Sequence, residues 1–319
     1  METDDEKREQ LITESVDIFN HPTGNGTRSN ITATLSNLEE AIPSTGYAYS
    51  EAQAHVSYNL PVSVILRRQL NVIDSFENEH PYYKDCIKIG IKLVFTDYTF
   101  ERLVLCNDDC SNVQHIPLPY KPWFITKIDH TTVAVSCSNR HIPIIDIDTG
   151  TVTSIIVISG HSEGISYNEN NLYVFIDLSE VQVMDLTGKV TRTIPLPSYS
   201  TYYIIVINDK LICIDSTSIY CCYLEGKQIW KFEERKYKDL TGLTTDGEGN
   251  VYVTDEITNT VLVVSYDGKN SIEVLTESNG LNRPIGIQFD KKENILLVNY
   301  RFKGTVVLFD VKVKHTEHE

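Results

Sequence analysis

From Val56 onward the chain alternates short apolar runs of Val, Ile, Leu, Tyr and Phe with breaks of Gly, Asp, Asn and Pro. No run keeps a helical apolar period over twelve or more residues, so the pattern predicts an all-β chain. The runs repeat. The clearest unit is Leu243–Gly268: an apolar strand, the turn Asp246-Gly-Glu-Gly-Asn250, the strand Val251–Asp255, a polar turn and the strand beginning Thr260-Val-Leu-Val-Val. The equivalent position near the end of the second strand falls at 97, 137, 177, 215, 255 and 299, at spacings of 40, 40, 38, 40 and 44. Six copies with a period near 40 predict a six-bladed β-propeller of four-stranded antiparallel blades. The expected blades are about 83–119, 120–158, 159–197, 198–232, 237–275 and 280–312. A β-sandwich of irregular hairpins is the plainer alternative, but it has no reason to keep a period across 220 residues.

Five outer strands are visible between units, as in Thr193-Ile-Pro-Leu-Pro197 and Gln228-Ile-Trp-Lys-Phe232. The sixth copy lacks one, and the missing element stands ahead of the first copy at about 69–74. That segment is expected to complete the last blade and close the ring, which hides two sheet edges. Val56–Leu66 is left open, as further cover or as another strand. Residues 1–18 allow a short helix or a solvated segment. Residues 19–54, rich in Thr, Ser and Asn, read as a flexible linker with too little apolar surface to offset ordering. The propeller is expected over 55–312, with a tail at 313–319.

The 319 residues carry 44 acidic and 28 basic side chains, a formal charge of −16. That balance repels phosphate backbones and anionic membranes. The start Met-Glu-Thr-Asp-Asp-Glu is the opposite of a secretory leader, and no apolar run is long enough to span a bilayer. Seven cysteines without framework spacing read as reduced fillers. The expectation is a cytoplasmic protein. The sequons at Asn25 and Asn30 are the one contrary sign.

Leu243-Thr-Thr-Asp-Gly-Glu-Gly-Asn-Val-Tyr-Val-Thr-Asp255 with Asp267-Gly268 resembles an NHL repeat, as does Pro284-Ile-Gly286 with Phe289-Asp290 and Asn299. The resemblance runs over 83–310 and is carried mainly by these two units; elsewhere the marks erode, as at Cys137, where an aspartate would stand. It is similar to the C-terminal propellers of tripartite-motif (TRIM-type) proteins, and so implies recognition of protein or RNA. No zinc-spaced Cys/His array of a RING or B-box precedes residue 83, so ligase chemistry is not implied for this chain. The repeat residues read as scaffold: Gly247, Gly249 and Gly268 for left-handed turn positions, Gly286 within the repeat, and Asp97 and Asp255 as acceptors for backbone N–H groups at strand ends.

In a propeller, the outer-to-inner loops and the second-to-third-strand loops share one face. Here they hold Tyr98, Trp123, Arg140, His141, Tyr199, Tyr202, Arg283, Tyr300, Arg301 and Phe302. Rigid aromatic area and guanidinium forks are the chemistry of protein-binding hot spots; packing between blades is the competing use of the same rings. No serine elbow, Walker loop or His-Glu-x-x-His is present. The chain is therefore read as a non-catalytic module, without cofactor, for a protein or peptide partner. Single-stranded RNA on the same face is the alternative, disfavoured by net charge. A lactonase-like hydrolase is the other, which would hold calcium with Glu163, Asp177, Asn259 and Asn299. Self-association is left open.

Overall fold

The computed structural model describes residues 60, 62–72, 81–177, 180–302 and 304–313. The short helix expected over 1–18, the linker over 19–54 and the tail beyond 313 lie outside the described residues.

The described residues form six four-stranded antiparallel sheets. Strand β1 (Val62–Asn71) precedes blade 1, which is β2 (Tyr83–Ile89), β3 (Lys92–Asp97), β4 (Arg102–Asn107) and β5 (Gln114–Pro117). Blade 2 is β6 (Pro122–Lys127), β7 (Thr132–Cys137), β8 (His141–Asp146) and β9 (Thr151–Val157). Blade 3 is β10 (Ser162–Asn168), β11 (Asn171–Ile176), β12 (Glu180–Met184) and β13 (Val190–Pro195). Blade 4 is β14 (Tyr203–Ile207), β15 (Lys210–Ile214), β16 (Ser218–Tyr223) and β17 (Gln228–Glu233). Blade 5 is β18 (Leu240–Thr245), β19 (Val251–Asp255), β20 (Thr260–Val264) and β21 (Ser271–Leu275). Blade 6 is β22 (Pro284–Asp290), β23 (Ile295–Tyr300) and β24 (Thr305–Val313), completed by β1. The 40-residue period is thus one blade per repeat.

The closing strand starts earlier than the sequence pattern suggested. β1 covers 62–71 and pairs from Val62↔Val313 to Asn71↔Thr305, with a register shift between Leu66 and Arg68. The apolar run Val62–Leu66 joins the ladder because β24 is nine residues long and offers it partners. Beyond the strand, the Val72 N–H donates to the Gly304 carbonyl at 2.8 Å, and the Tyr83 hydroxyl donates to the Val72 carbonyl at 2.6 Å.

Inner strands β2, β6, β10, β14, β18 and β22 pack in succession around the axis, and apolar clusters fill the joints between blades. Most joints also carry a latch, in which a side chain on one inner strand takes a backbone N–H from the next. Asp85 takes Ile125, Thr126 takes Tyr167, Ser166 takes Val206, Thr244 takes Phe289 and Gln288 takes Lys88. Among the described residues no such latch joins blade 4 to blade 5. The turn glycines depart from expectation at one position. Gly249 and Gly268 are left-handed at φ 86° and 75°, but Gly247 is not; it sits one residue into the turn that Gly249 N–H closes onto the Asp246 carbonyl.

Candidate functional site

Because each blade is an antiparallel meander, the loops entering inner strands and the β3–β4-type turns lie together on one face. Two bulges shape that face. Tyr83 pairs with Asp97 and Asp85 with Thr96, which leaves Lys84 as the extra residue. In blade 2 the register shifts between Pro122 and Ile125, across Trp123. Bulges re-aim side chains, and here the lysine and the indole meet: Lys84 Nζ lies 4.8 Å from the Trp123 ring centre and 5.7 Å from that of Tyr82.

A continuous band follows. Lys121 Nζ is 4.9 Å from the Tyr98 ring, Tyr98 is 5.2 Å from Trp123, and Tyr82 is 5.9 Å from Tyr98. The Arg301 guanidinium lies 5.1 Å from Tyr82 and 5.5 Å from Phe302, and Arg283 covers Phe302 at 5.2 Å. Four rings and four cations therefore form one band across blades 2, 1 and 6. The two arginines share the buried carboxylate of Glu256, at 2.5 Å from Arg283 and 2.8 Å from Arg301. Lys84 and Lys121 have no carboxylate partner among the described residues. Two donors beside the mouth are also unused: Arg301 Nε and the Tyr202 hydroxyl are buried without a hydrogen-bond partner. Buried donors are seldom left so.

Below the mouth the channel is bridged. Tyr203 opens β14 of blade 4 and reaches across the axis to Asp85 of blade 1, its hydroxyl 3.2 Å from both carboxylate oxygens. The Phe124 ring meets Tyr203 edge-on at 4.7 Å. Asp85 also accepts the N–H groups of Cys86 and Ile125, at 2.9 and 3.1 Å. Burial pushes its pKa up to about 7, against those hydrogen bonds and the nearby Lys84. Asp239 is raised to about 6 by burial, then by the charges of Glu256 and Asp255.

The structure brings together Tyr98, Trp123, Arg283, Arg301 and Phe302. His141 stacks on Tyr120 at 4.1 Å beside Lys121, and exposed Arg140 occupies the left-handed turn next to it. Tyr199 stands apart on blade 4, 84 % exposed. Tyr300 is turned inward, its hydroxyl donating to the Gly280 carbonyl. Asp255 takes the N–H groups of Lys238, Asp239 and Thr258, and Asp97 binds Arg102 Nε at 3.0 Å. Gly286 is a contact glycine, since a Cβ there would meet Asn299 Oδ1 at 2.0 Å.

Three of the four calcium candidates make hydrogen bonds within the protein, and the Asn299 Oδ1 is buried without a partner. Asn259 Oδ1 takes the Arg283 N–H, Asp177 takes the His161 N–H, and Asn299 Nδ2 donates to the Tyr83 carbonyl. Among the described residues no three His, Cys, Asp or Glu side chains gather closely enough to hold a metal ion. Sequence reasoning missed Asp85, Asp239 and Glu256. None of the three left a local signal, since each follows another charged residue, as Lys84-Asp85, Lys238-Asp239 and Asp255-Glu256.

No known protein-family profile matches the chain, and no curated protein matches it. Solved structures match in fold. A structural-genomics protein of unknown function from Bacteroides thetaiotaomicron is 15 % identical over 79 % of this chain and 76 % of its own, with a TM-score of 0.62. Virginiamycin B lyase from Staphylococcus aureus is 14 % identical over 78 % of this chain and 99 % of its own, at 0.58. A chain of the mitotic checkpoint complex is 11 % identical over 86 % and 99 %, at 0.57. At such identities the likeness is one of fold: a β-propeller.

Proposed function

We propose that this chain is a noncovalent recognition module that docks an acidic segment of a protein partner across the loop-rich face. The observation that carries the reading is the band of rings and cations from Lys121 to Arg283, on a protein whose net charge is −16. Its rings supply rigid apolar area, and Lys84 and Lys121 supply cations for carboxylates. Of the similar folds, one is a lyase and one belongs to a protein complex; the fold does not choose between such roles, whereas the band favours docking. Kinship with NHL-repeat propellers is part of the same reading, supported by the Leu243–Asp255 unit. Seven free cysteines, six of them buried, support a cytoplasmic setting. No described helix is long and apolar enough to cross a membrane.

The test is an array of peptides varying in acidic, basic and apolar content, probed with the full chain and followed by anisotropy on the selected peptides. Lys84→Ala and Trp123→Ala are the variants of choice, because truncating Arg301 would strand Glu256. Acidic peptides that lose about tenfold or more in affinity with Trp123→Ala, at an unchanged melting temperature, support the reading. Selection indifferent to peptide charge and to both variants overturns it, and binding of oligouridylate in place of peptide replaces it with the RNA reading.

A further inference from the structure

Among the described residues the outer strand of every blade has one edge that pairs with no other strand, and a row of free N–H and C=O groups is a template for another strand. Five of the six edges are blunted. β5 is four residues long and ends in Pro117; β13 holds Arg192 and Pro195; β17 holds Lys231 and Glu233; β21 holds Glu273; β1 holds Arg67 and Arg68. β9 has no such device. Its sequence Thr-Val-Thr-Ser-Ile-Ile-Val contains neither charge nor proline, and it exposes Val152, Ile155 and Val157 at 36, 43 and 68 %.

The ladder inside β9 shows which backbone groups are free. Ile155 stands opposite Pro143, which has no N–H, and the Ile158 N–H donates to the Arg140 carbonyl at 3.1 Å. Bonded and non-bonded pairs alternate in an antiparallel ladder. The bonded pairs are therefore Ile142↔Ile156 and Ile144↔Ser154, and the N–H and C=O of Ile155 and Val157 point away from the blade. The same two residues carry the most exposed apolar side chains of the strand.

The geometry points to a second copy of this chain as the occupant, with β9 pairing antiparallel to β9 about a two-fold axis at Ile155. In that register Ile155 meets Ile155, and Val157 meets Thr153. Ile155 and Val157 of both copies lie on one face, and two blades merge into one eight-stranded sheet. Charge selects this contact. Two copies at −16 each repel, so they meet at lowest cost where the surface is uncharged. Antiparallel order sets Asp148 of one copy beyond Val157 of the other, toward Ser159 and His161, whereas parallel order would stack Asp148 on Asp148. A single strand pair buries less than the roughly 1,600 Å² of a standard interface, so the dimer is weak and concentration-dependent.

Sedimentation velocity of the full chain, from low to several hundred micromolar, tests this. The parent shifts toward dimer with concentration, and more so at higher salt, which screens the mutual repulsion. The Ile155→Lys, Val157→Lys double variant stays monomeric at an unchanged melting temperature, since both positions are exposed. Under a copper–phenanthroline oxidant, Ile155→Cys forms a covalent dimer and Val157→Cys does not, because only the first lies within disulfide reach of its own copy. A parent that is monomeric at every loading overturns the inference. So does a dimer that survives the double variant, and so does cross-linking at 157 equal to that at 155.

Discussion

Asp85 is the residue on which burial and function meet. It sits under the band, adjacent to Lys84, and holds Tyr203 across the channel. Its folded pKa of about 7 lies above the unfolded 3.8, so the native state binds the proton more tightly. The resulting stability is complete below pH 4 and is lost as pH rises toward 7; three units correspond to roughly 4 kcal/mol. Asp239, raised to about 6, acts with the same sign. Denaturant titrations at about pH 5 and pH 8 are expected to show the parent less stable at the higher value. Asp85→Asn, which cannot ionise, is expected to lose most of that difference. An equal difference in the variant would mean that Asp85 stays ionised across the range. Nothing in the local sequence announced this. The Lys84-Asp85 pair reads as an ordinary charged step into a strand, and only the ring places it 3.2 Å from a tyrosine 118 residues away. Trp123 was legible as a surface aromatic, but its meeting with Lys84 depends on two bulges that leave no mark in composition.

At the scale of the element, the latches between inner strands distinguish one joint from the rest. Ser166 Oγ accepts the Val206 N–H at 2.9 Å, and Ser166→Ala would leave that amide buried and unpaired, at a cost of about 1–3 kcal/mol. β14 reads Tyr-Ile-Ile-Val-Ile. Its one polar group, the Tyr203 hydroxyl, is spent on Asp85, so it has nothing to offer β18. On the face opposite the band a cavity of about 150 Å³ lies at the same joint, lined by Ile207, Asn208, Lys210, Glu248 and Tyr266 among others. Hydrogen exchange is therefore expected to be fastest, among inner strands, in peptides covering 203–207 and 240–245, because the least stable joint opens first. Uniform protection around the ring would show that apolar packing alone equalises the joints. The 40-residue period made the strands themselves legible, since alternating apolar runs and turn residues survive even where repeat marks erode, as at Cys137. The latches were not legible, because Ser, Thr, Asp and Gln on a strand look like solvent-facing residues until the neighbouring blade is in place.

The whole molecule depends on one non-local pairing, β1 with β24, between segments more than 230 residues apart. Every other blade closes within about forty residues, so this pairing carries the largest loop-closure entropy and is the slowest to form. Three further ties hold the same joint. Lys88, its side chain 1 % exposed, binds Asp290 and Glu293 at 3.0 Å each; the Gln288 side chain takes the Lys88 N–H; and Tyr83 holds the Val72 carbonyl. A chain beginning at residue 56 retains all of them and is expected to melt cooperatively at the parent temperature. A chain beginning at residue 79 retains Lys88 and Gln288 but loses β1, which uncovers the nine-residue edge of β24 with Val307, Phe309 and Val311 beside it. Such an edge pairs with other chains. The shorter chain is therefore expected to elute as aggregate in size-exclusion chromatography and to melt lower. If it instead eluted as a monomer with an unchanged transition, the ionic and side-chain ties between blades 6 and 1 would suffice to hold the ring, and β1 would be a cover strand rather than its closure.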